Sequence, residues 1–288
     1  MTDLSALSCT LSITLWSARR ADKTITAETL AAHGAAADAG RWNKTLLSKF
    51  SLANLRAVAS EARAEHYRRT VPLGETARAM AGAGYWDYCR VMTDLAARFT
   101  AGVADFCDAY PVLVDLARSE LGTTFRADDY PSASAVADRF SFTWGVLPLV
   151  TADAPDLWLA LGADRAAQVS ASIASTLDAQ RRDASRAVWT RARDVVAHLI
   201  DRLDAYTRAG TDGGVFRDTL VTNIVDLVDL LPTLNVYHDP DLTALADRMR
   251  ADLCGDDARA LRADTTARAA TLDRARALMA SMTGVGAV

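Results

Sequence analysis

The chain has 288 residues, 50% of them hydrophobic and 7% aromatic, and its formal net charge is −4. This composition favours closely packed helices over sheets, and the net charge excludes a global attraction to nucleic acid or to an anionic membrane. The four cysteines are scattered and form no C-x-x-C motif, so we expect no disulfides. The sequence also shows no basic leader and no apolar run of 18 residues, and we therefore expect a cytoplasmic protein.

Two segments alternate apolar and polar residues with the period of a strand that has one buried face. In 11–16 (LSITLW) the odd-numbered positions carry the aliphatic side chains, and in 139–146 (RFSFTWGV) the even-numbered positions carry the aromatic and aliphatic ones. Because an isolated ribbon is marginal in water, its apolar face must rest on helices. We therefore expect one small two-stranded sheet that pairs these segments, within an otherwise helical bundle.

The region between these strands begins with a helical pattern. Ser51 is the predicted N-cap of a helix that runs to about Arg69, because apolar residues follow it at alternating spacings of three and four. His66 falls on the apolar row of this helix. We therefore interpret His66 as a packed core histidine rather than as a metal ligand.

The next helix has a longer and stronger pattern. Apolar residues repeat at spacings of three and four from 88 to 110, and Pro111 predicts that this helix ends before it. Since proline suits a first helical turn, a short helix is expected at 111–121, closed by Gly122. Another short helix is expected at 132–138, directly before the second strand.

The longest helical pattern covers 163–209, a run of 47 residues without glycine or proline. A continuous helix of that length would reach roughly 70 Å, whereas a compact domain of this size has a diameter of about 50 Å. The helix must therefore project from the domain or break. Residues 180–183 interrupt its apolar seam, so a kink near 181 and a projecting helix are both open.

The most strongly patterned stretch of the chain is 214–242. On a helical wheel, apolar residues cover more than half of the circumference and leave a polar stripe that includes Asp226 and Asp229. The apolar rows are Phe216, Leu220, Ile224, Leu227 and Leu231, with Val221, Val225 and Val228 beside them. We expect a nearly buried helix that ends at Pro232 and forms an antiparallel hairpin with 184–209, and we interpret its polar stripe as a solvated face.

Two further helices are expected after this one. Asp239 as N-cap and Pro240 in the first turn begin the first of them, and the Ala-rich residues 256–282 form the second, followed by a mobile tail. We therefore divide the chain into a single helical domain with a small sheet, 1–255, and a C-terminal segment, 256–288.

No pattern in the sequence indicates catalysis or a metal site. The four histidines never lie at ligand spacing from a second histidine or a cysteine, no nucleophile elbow occurs, and the single G-x-G lacks the preceding strand of a phosphate loop. Arg181, Arg182 and Arg186 form a small basic cluster, which Asp178 and Asp183 are expected to neutralise. We therefore predict no enzyme activity, no cofactor and no metal.

The least ordinary feature is the stretch 41–69, whose basic residues are opposed only by Glu61 and Glu65. With three more basic residues and the aromatic Trp16 and Trp42, it has the composition of a surface that follows a phosphate backbone or an acidic partner. An ordinary charged helix face is the alternative. The candidate binding residues are Arg19, Arg20, Lys23, Arg41, Lys44, Lys49, Arg56, Arg63, Arg68 and Arg69.

Three passages, LWSARR at 15–20, YPSASAVADRFSFTWGV at 130–146 and FRDTLVTNIVDLVDLLPTLNVYHDPDL at 216–242, together resemble the phage and mobile-element family known as domain of unknown function 3150. The resemblance covers about 11–255, and Ala18 replaces a glycine of the first motif. It brings no catalytic residues. The partners that the resemblance implies are a cobalt-chelatase-like AAA+ ATPase and a von Willebrand A domain protein, sometimes near single-strand annealing genes.

Three functions remain open from the sequence. The first is a non-enzymatic helical adaptor that acts with the ATPase, because packing signals are abundant and a catalytic constellation is missing. The second is a nucleic-acid-binding accessory protein of recombination or replication that uses the basic stretch 41–69. The third is an unrecognised enzyme, since chain order cannot exclude a site assembled in space.

Overall fold

The computed structural model describes residues 6–74, 77–149, 163–209 and 218–282, with the side chains of the longest helix from 175 to 207. The α-helices in these ranges are α1 (Lys23–Ala32), α2 (Ala53–Arg69), α3 (Tyr85–Leu121), α4 (Ala133–Val136), α5 (Ala163–Ala209), α6 (Thr219–Leu234), α7 (Pro240–Leu253), α8 (Ala258–Ala263) and α9 (Thr265–Met282). The strands are β1 (Ala6–Thr14), β2 (Arg19–Ala21), β3 (Asn43–Thr45), β4 (Val71–Leu73), β5 (Ala77–Ala81) and β6 (Ser141–Pro148). The predicted mainly helical fold is confirmed.

The sheet is larger than the sequence predicts. The strands β1 and β6 are neighbours, as expected for 11–16 and 139–146, but they belong to a four-stranded sheet of order β4, β5, β1, β6. A second sheet pairs β2 with β3. The prediction of a single two-stranded sheet is therefore wrong in the number of strands. The strands β2, β3 and β4 could not be recognised in the sequence, because each has three residues, too few to show an alternation of apolar and polar side chains.

The alternation along β1 has the expected sense. Leu7 and Cys9 are buried, whereas Thr10, Ser12 and Thr14 on the opposite face are exposed. The aliphatic residues of the second half of the strand, including Ile13, are only half-buried. The strand is thus most deeply covered near its start, where Leu7 lies opposite Met80 of β5 in the antiparallel register.

The chain divides into two compact units. The first unit has its described residues within Met1–Thr10, Tyr67–Tyr88 and Gly145–Val288, and the second consists of Leu11–His66 and Cys89–Trp144. Each unit therefore combines separate parts of the chain rather than one continuous half.

The core of the first unit is aliphatic and lies among α5 to α9. α5 runs through 181 without interruption, so no break of the helix occurs there. From Val188 onward its buried seam continues through Ala192, Val196, Leu199 and Leu203. Their spacings of three and four keep these side chains on one face of the helix, which packs into the same core as α6.

The expected core helix is α6, and its buried row is the predicted one. Leu220, Ile224, Leu227 and Leu231 are all buried, and Val228 joins them. The helix continues past Pro232 to Leu234, so the predicted end at the proline is wrong by two residues. Proline in the last turn of a helix removes only one backbone hydrogen bond, because few residues follow it in the helix. Residues 210–217, which include the predicted turn of the hairpin and Phe216, lie outside the described residues.

The polar stripe of α6 remains at the surface. Asp226 and Asp229 are exposed, as the solvated-face interpretation predicts. Asp229 also accepts a hydrogen bond from Arg250 of α7 at 2.7 Å, and Asp218 pairs with Arg262 of α8 at 2.8 Å. Exposed pairs of this kind contribute little to stability, typically below about 1 kcal/mol.

The end of the chain is two helices rather than one. Asp239 caps α7 by accepting from the N–H of Asp241, as predicted, but the expected helix 256–282 is interrupted between α8 and α9. The side chain of Asp264 accepts hydrogen bonds from the N–H groups of Thr266 and Ala267, which makes it the cap of a new helix. Both helices bury residues in the core of the first unit, and the predicted mobile tail lies outside the described residues.

In the second unit, α3 is a single helix that contains Pro111, so the predicted end before this proline is wrong. Proline removes one hydrogen bond and crowds the preceding turn. Packing on both sides holds the helix together, because Tyr110 and Ala117 are buried. Gly122, whose φ of 51° favours glycine, then follows the last residue of α3 as predicted.

A cluster of aromatic side chains forms one part of the core of the second unit. Trp16 contacts Phe106 and Tyr110 edge to face, with ring centroids 6.4 and 6.0 Å apart. Phe106 also lies edge to face with Phe140, at 5.4 Å. The core of this unit therefore combines a cluster of large rings with buried aliphatic residues such as Leu52, Leu55 and Leu95.

Candidate functional site

Lys44 is the one predicted binding residue of the second unit that lies fully in its interior. Its side chain is 2% exposed, and its ammonium group pairs with Asp22 at 3.3 Å and with Asp129. The same group donates to the carbonyl of Thr124 at 2.7 Å. Lys44 is thus a structural cation of the core, and its ammonium group is not accessible to a ligand on the surface.

The carboxylates around Lys44 are themselves held in place. Asp22 is the N-cap of α1, and the N–H of Ile25 together with the Lys44 ammonium keeps the pKa of Asp22 below its ordinary value. Arg20 approaches Asp129 from the solvent side, with Nε 3.1 Å from Oδ1. Arg20 is therefore partly committed to the structure, while its neighbour Arg19 is exposed on β2.

Four exposed residues lie on the turn before α2 and along the first two thirds of this helix, and we call this set the Phe50 surface: Lys49, Phe50, Arg56 and Arg63. Phe50 is 74% exposed, and the Lys49 ammonium lies 5.2 Å from the centroid of its ring. Arg56 donates to the carbonyl of Lys49 at 3.3 Å. A large ring and two cations are thus held together at one exposed position.

The turn before α2 fixes the backbone of Phe50. The N–H of Phe50 donates to the hydroxyl of Ser48 at 3.3 Å, and its carbonyl accepts from the N–H of Ala53 at 3.1 Å. Leu52, two residues later, is buried and anchors the turn in the core. The exposure of Phe50 is therefore built into the local structure.

Arg63 continues the same face of α2 one heptad after Arg56. It is exposed and donates to the carbonyl of Ile13 at 3.2 Å. Glu61 makes a two-pronged pair with Arg98 of α3, at 2.7 and 2.8 Å, and this pair lowers the pKa of Glu61. One of the two acids that oppose the basic stretch is consequently paired with α3, so it does not offset the charges of Arg56 and Arg63.

Lys23 and Arg41 lie beside α1. They line a cleft of about 610 Å³ whose other walls are mainly alanines and Leu30 of α1, a helix without a buried residue. Trp42 next to Arg41 is 38% exposed, and its N–H donates to the hydroxyl of Thr26 at 2.9 Å. Both cations are exposed: Lys23 is the first residue of α1, and the backbone hydrogen bond of Trp42 holds the neighbouring Arg41 beside this helix.

Arg68 and Arg69 belong to the first unit and not to the Phe50 surface. Arg69 is buried and donates from Nε to Asp87 at 3.0 Å. The carbonyl of Arg68 accepts from Arg191 of α5 at 2.7 Å. The structure therefore assigns eight of the ten candidate residues to the second unit, where Lys44 is buried.

Two arginines that the sequence analysis does not select cap the end of α2. Arg191 donates to the carbonyls of Tyr67 and Arg68, and Arg78 donates to the hydroxyl and the carbonyl of Thr70 at 2.6 and 2.7 Å. Burial lowers the pKa of both guanidinium groups. Cations at the carbonyl end of a helix are favourable, so these two have a structural role.

The expected G-x-G context is also different in the structure. A strand, β5, does precede Gly82 and Gly84, contrary to the prediction. However, a Cβ on Gly84 would lie 2.0 Å from Cγ2 of Thr233, so this glycine is required for the close approach of α6. The glycine is therefore explained by packing rather than by phosphate binding.

Within the described ranges, no group of three or more side chains could hold a metal ion. No helix among these residues is long and apolar enough to cross a bilayer. Comparisons of the chain with protein-family models, with curated proteins and with solved structures find no match. The resemblance to domain of unknown function 3150 therefore stays a prediction, and function is argued from geometry alone.

Proposed function

We propose that the protein is a non-enzymatic adaptor that binds an acidic partner protein through the Phe50 surface. The observation that carries the proposal is the exposed Phe50 ring beside Lys49, a residue whose carbonyl accepts from Arg56, on a turn that the backbone holds in place. Aromatic residues and arginine are enriched in the energetic centres of protein interfaces. The resemblance to domain of unknown function 3150 makes the cobalt-chelatase-like AAA+ ATPase and its von Willebrand A companion the expected partners.

The cations of this surface are suited to an acidic partner. Arg56 and Arg63 donate only to backbone carbonyls in the described structure, so their charges are not cancelled by a carboxylate. Such charges accelerate encounter and select the partner, while the ring supplies buried apolar area. Phe50 and the two arginines therefore test separable contributions to one interface.

The experiment is capture of the ATPase from the native host by the tagged protein. Phe50→Ala and the double variant Arg56→Glu/Arg63→Glu are expected to lose the ATPase while retaining the unfolding midpoint of the wild type. Leu116→Ala, which shortens another exposed apolar side chain of the second unit, and Arg202→Glu/Arg259→Glu, which makes the same charge change on exposed arginines of the first unit, are the controls. Retention of the ATPase by both Phe50 surface variants contradicts the proposal.

Nucleic acid is the second candidate, and one observation favours it. Trp42 and Phe50 are both exposed and each follows a cation in the chain, Arg41 and Lys49. Base stacking on aromatic rings beside cations is a general mode of single-strand binding. In that case, binding of a single-stranded oligonucleotide weakens steeply with salt, and the Arg56→Glu/Arg63→Glu variant abolishes it. Absence of binding by the wild type at low ionic strength excludes this candidate.

A further inference from the structure

The first unit contains a cleft that is not part of the Phe50 surface. Its volume is about 440 Å³, within the range of small-molecule sites. One wall is a single face of α5, and the other is the loop that leads into α7. The residues that line it are Arg181, Arg182, Ser185, Arg186, Trp189, Tyr237, His238, Asp239, Pro240 and Asp241.

The α5 wall carries a basic stripe beside the apolar seam, which continues through Ala184 and Val188. Positions 181, 185 and 189 follow one another at helical spacing, with 182 and 186 beside them. Trp189 is buried at the base of the cleft. Arg181, Arg182 and Arg186 are exposed along this wall, so their guanidinium groups are open to a ligand in the cleft.

The opposite wall is a rigid loop. The Asn235 side chain donates to the carbonyl of Asp239 and accepts from the N–H of the same residue, both at 2.8 Å. This two-way clamp holds His238 at a φ of 52°, a left-handed conformation that non-glycine residues seldom adopt. Tyr237 and His238 are thereby presented to the cleft by a backbone that has little freedom.

The arginine charges are incompletely balanced within the chain. Arg181 is 4.0 Å from Asp178, a distance too long for a hydrogen bond, and Arg186 is 3.1 Å from Asp183. Both pairs are exposed and therefore weak. Arg182, one turn before Arg186, makes no ion pair or hydrogen bond within the described residues, and like charges at this spacing repel.

The two carboxylates that line the cleft do not neutralise the remaining arginine charge. Asp239 uses one oxygen to cap α7 through the N–H of Asp241 at 2.9 Å, and the other accepts from the hydroxyl of Ser185 at 3.4 Å. Asp241 is exposed in the first turn of α7. In the described structure neither carboxylate pairs with one of the three arginines.

A second group in the cleft also lacks a partner. The hydroxyl of Tyr237 is buried and makes no hydrogen bond with any described residue. Buried polar groups nearly always have a partner. Burial raises the pKa of Tyr237, whereas the nearby Arg181 opposes this rise, so the hydroxyl remains a protonated donor at neutral pH beside a cation. Tyr237 lines the cleft together with Arg181, which is 61% exposed.

From these observations we propose that the cleft binds a small molecule that carries a phosphate group. Arg182 and Arg186 bind the phosphate oxygens through paired N–H donors, and the Tyr237 hydroxyl donates to a further oxygen once the side chains around it move to expose it. The cleft exceeds the size of an inorganic phosphate, so the remainder of the molecule lies towards Trp189. An anion in this position offsets the repulsion between the arginines of α5 and gives the Tyr237 hydroxyl a hydrogen-bond acceptor.

The test is calorimetric titration with sodium pyrophosphate in chloride buffer of matched ionic strength. We expect the wild type to bind and Arg182→Gln/Arg186→Gln to bind at least about tenfold more weakly, as charge-assisted hydrogen bonds are lost. Arg202→Gln/Arg259→Gln removes the same charge from exposed positions outside the cleft and is expected to bind like the wild type. No binding by the wild type at millimolar pyrophosphate, or equal losses in the two double variants, overturns the proposal.

Tyr237→Phe tests the hydroxyl separately. Removing an unsatisfied buried hydroxyl should leave the urea unfolding midpoint of the free protein unchanged or raise it, because no hydrogen bond is lost. The same variant is expected to weaken pyrophosphate binding severalfold. A lowered midpoint without ligand means that the hydroxyl has a structural partner, and an unchanged affinity removes it from the binding site. Either result overturns its assigned role.

Discussion

The two units of the molecule are stabilised by different kinds of interaction. The first unit packs aliphatic seams of α5 to α9 against one another, with its charged residues mostly at the surface. The second unit adds a cluster of aromatic rings to its aliphatic core and also buries an ammonium group, that of Lys44, between two carboxylates. The comparison shows that a basic residue within a basic stretch of sequence can belong to the core. It also predicts that a different substitution destabilises each unit.

The largest expected effect is that of Lys44→Met. This variant keeps the length of the side chain but leaves Asp22 and Asp129 without their buried cation, and it should cost about 3 to 5 kcal/mol. Peptide-resolved hydrogen exchange should show the loss of protection in the second unit. The comparison would be wrong if the amides of the first unit lost more protection than those of the second.

A double variant sharpens this result. Lys44→Met together with Asp129→Asn removes the cation and a carboxylate that Arg20, an exposed residue, then compensates only partly, so it should recover part of the stability that Lys44→Met loses. If the double variant is less stable than the single one, the pair of Asp129 with Arg20 contributes more to stability than the buried carboxylate costs.

The matching test of the first unit is Leu227→Ala. Leu227 is buried in the middle of α6, and truncating it removes apolar burial and leaves a cavity, at a cost of about 2 to 5 kcal/mol. Asp226→Ala, one residue away on the exposed stripe, should cost under about 0.5 kcal/mol. Urea unfolding of both variants measures the difference, and equal effects would contradict the aliphatic core assigned to this helix.

A smaller effect is expected at the contact between Gly84 and α6. Gly84→Ala places a methyl group 2.0 Å from Cγ2 of Thr233, a branched side chain that cannot move away freely, so a cost of about 1 to 3 kcal/mol is expected. Gly255→Ala is the control, because a methyl group there meets no described atom within 4 Å. Similar thermal midpoints for the two variants would show that α6 adjusts its position without cost.

The smallest effect is expected from pH, and it concerns Asp22. Its pKa is lowered in the folded state, so its contribution to stability is present above the ordinary aspartate pKa of about 3.9 and is lost as the pH falls through the lowered value. Asp22→Asn retains a good N-cap for α1 but not the charge. Stability of this variant should therefore vary less with pH below about 4, and an unchanged acid profile would contradict the assignment.

The parts of the fold that follow from repeated local signals could be predicted from the sequence. The rows of α2 and α6 and the Asp239 cap are of this kind, because each depends on residues within a few turns. The uninterrupted α3 could not be predicted, since whether a helix tolerates Pro111 depends on the packing around it. The break at Asp264 has a local signal, a capping aspartate, that the Ala-rich composition conceals.

The candidate sites were less accessible to sequence reasoning. The excess of basic residues in 41–69 is visible in the sequence, but the burial of Lys44 depends on Asp129, which lies 85 residues away in the chain. The cleft at Arg182 depends on the loop before α7 and has no local pattern. Such sites are assembled by tertiary contacts, which the order of residues along one helix does not encode.

The buried Lys44 also has a consequence for chemical labelling. The sequence contains three lysines, Lys23, Lys44 and Lys49, and the two other than Lys44 are exposed. An amine-reactive reagent should therefore attach to side chains at only Lys23 and Lys49, which places a dye or crosslinker beside α1 and on the Phe50 surface. Acylation of Lys44 would require the second unit to open, so its rate reports directly how often that opening occurs.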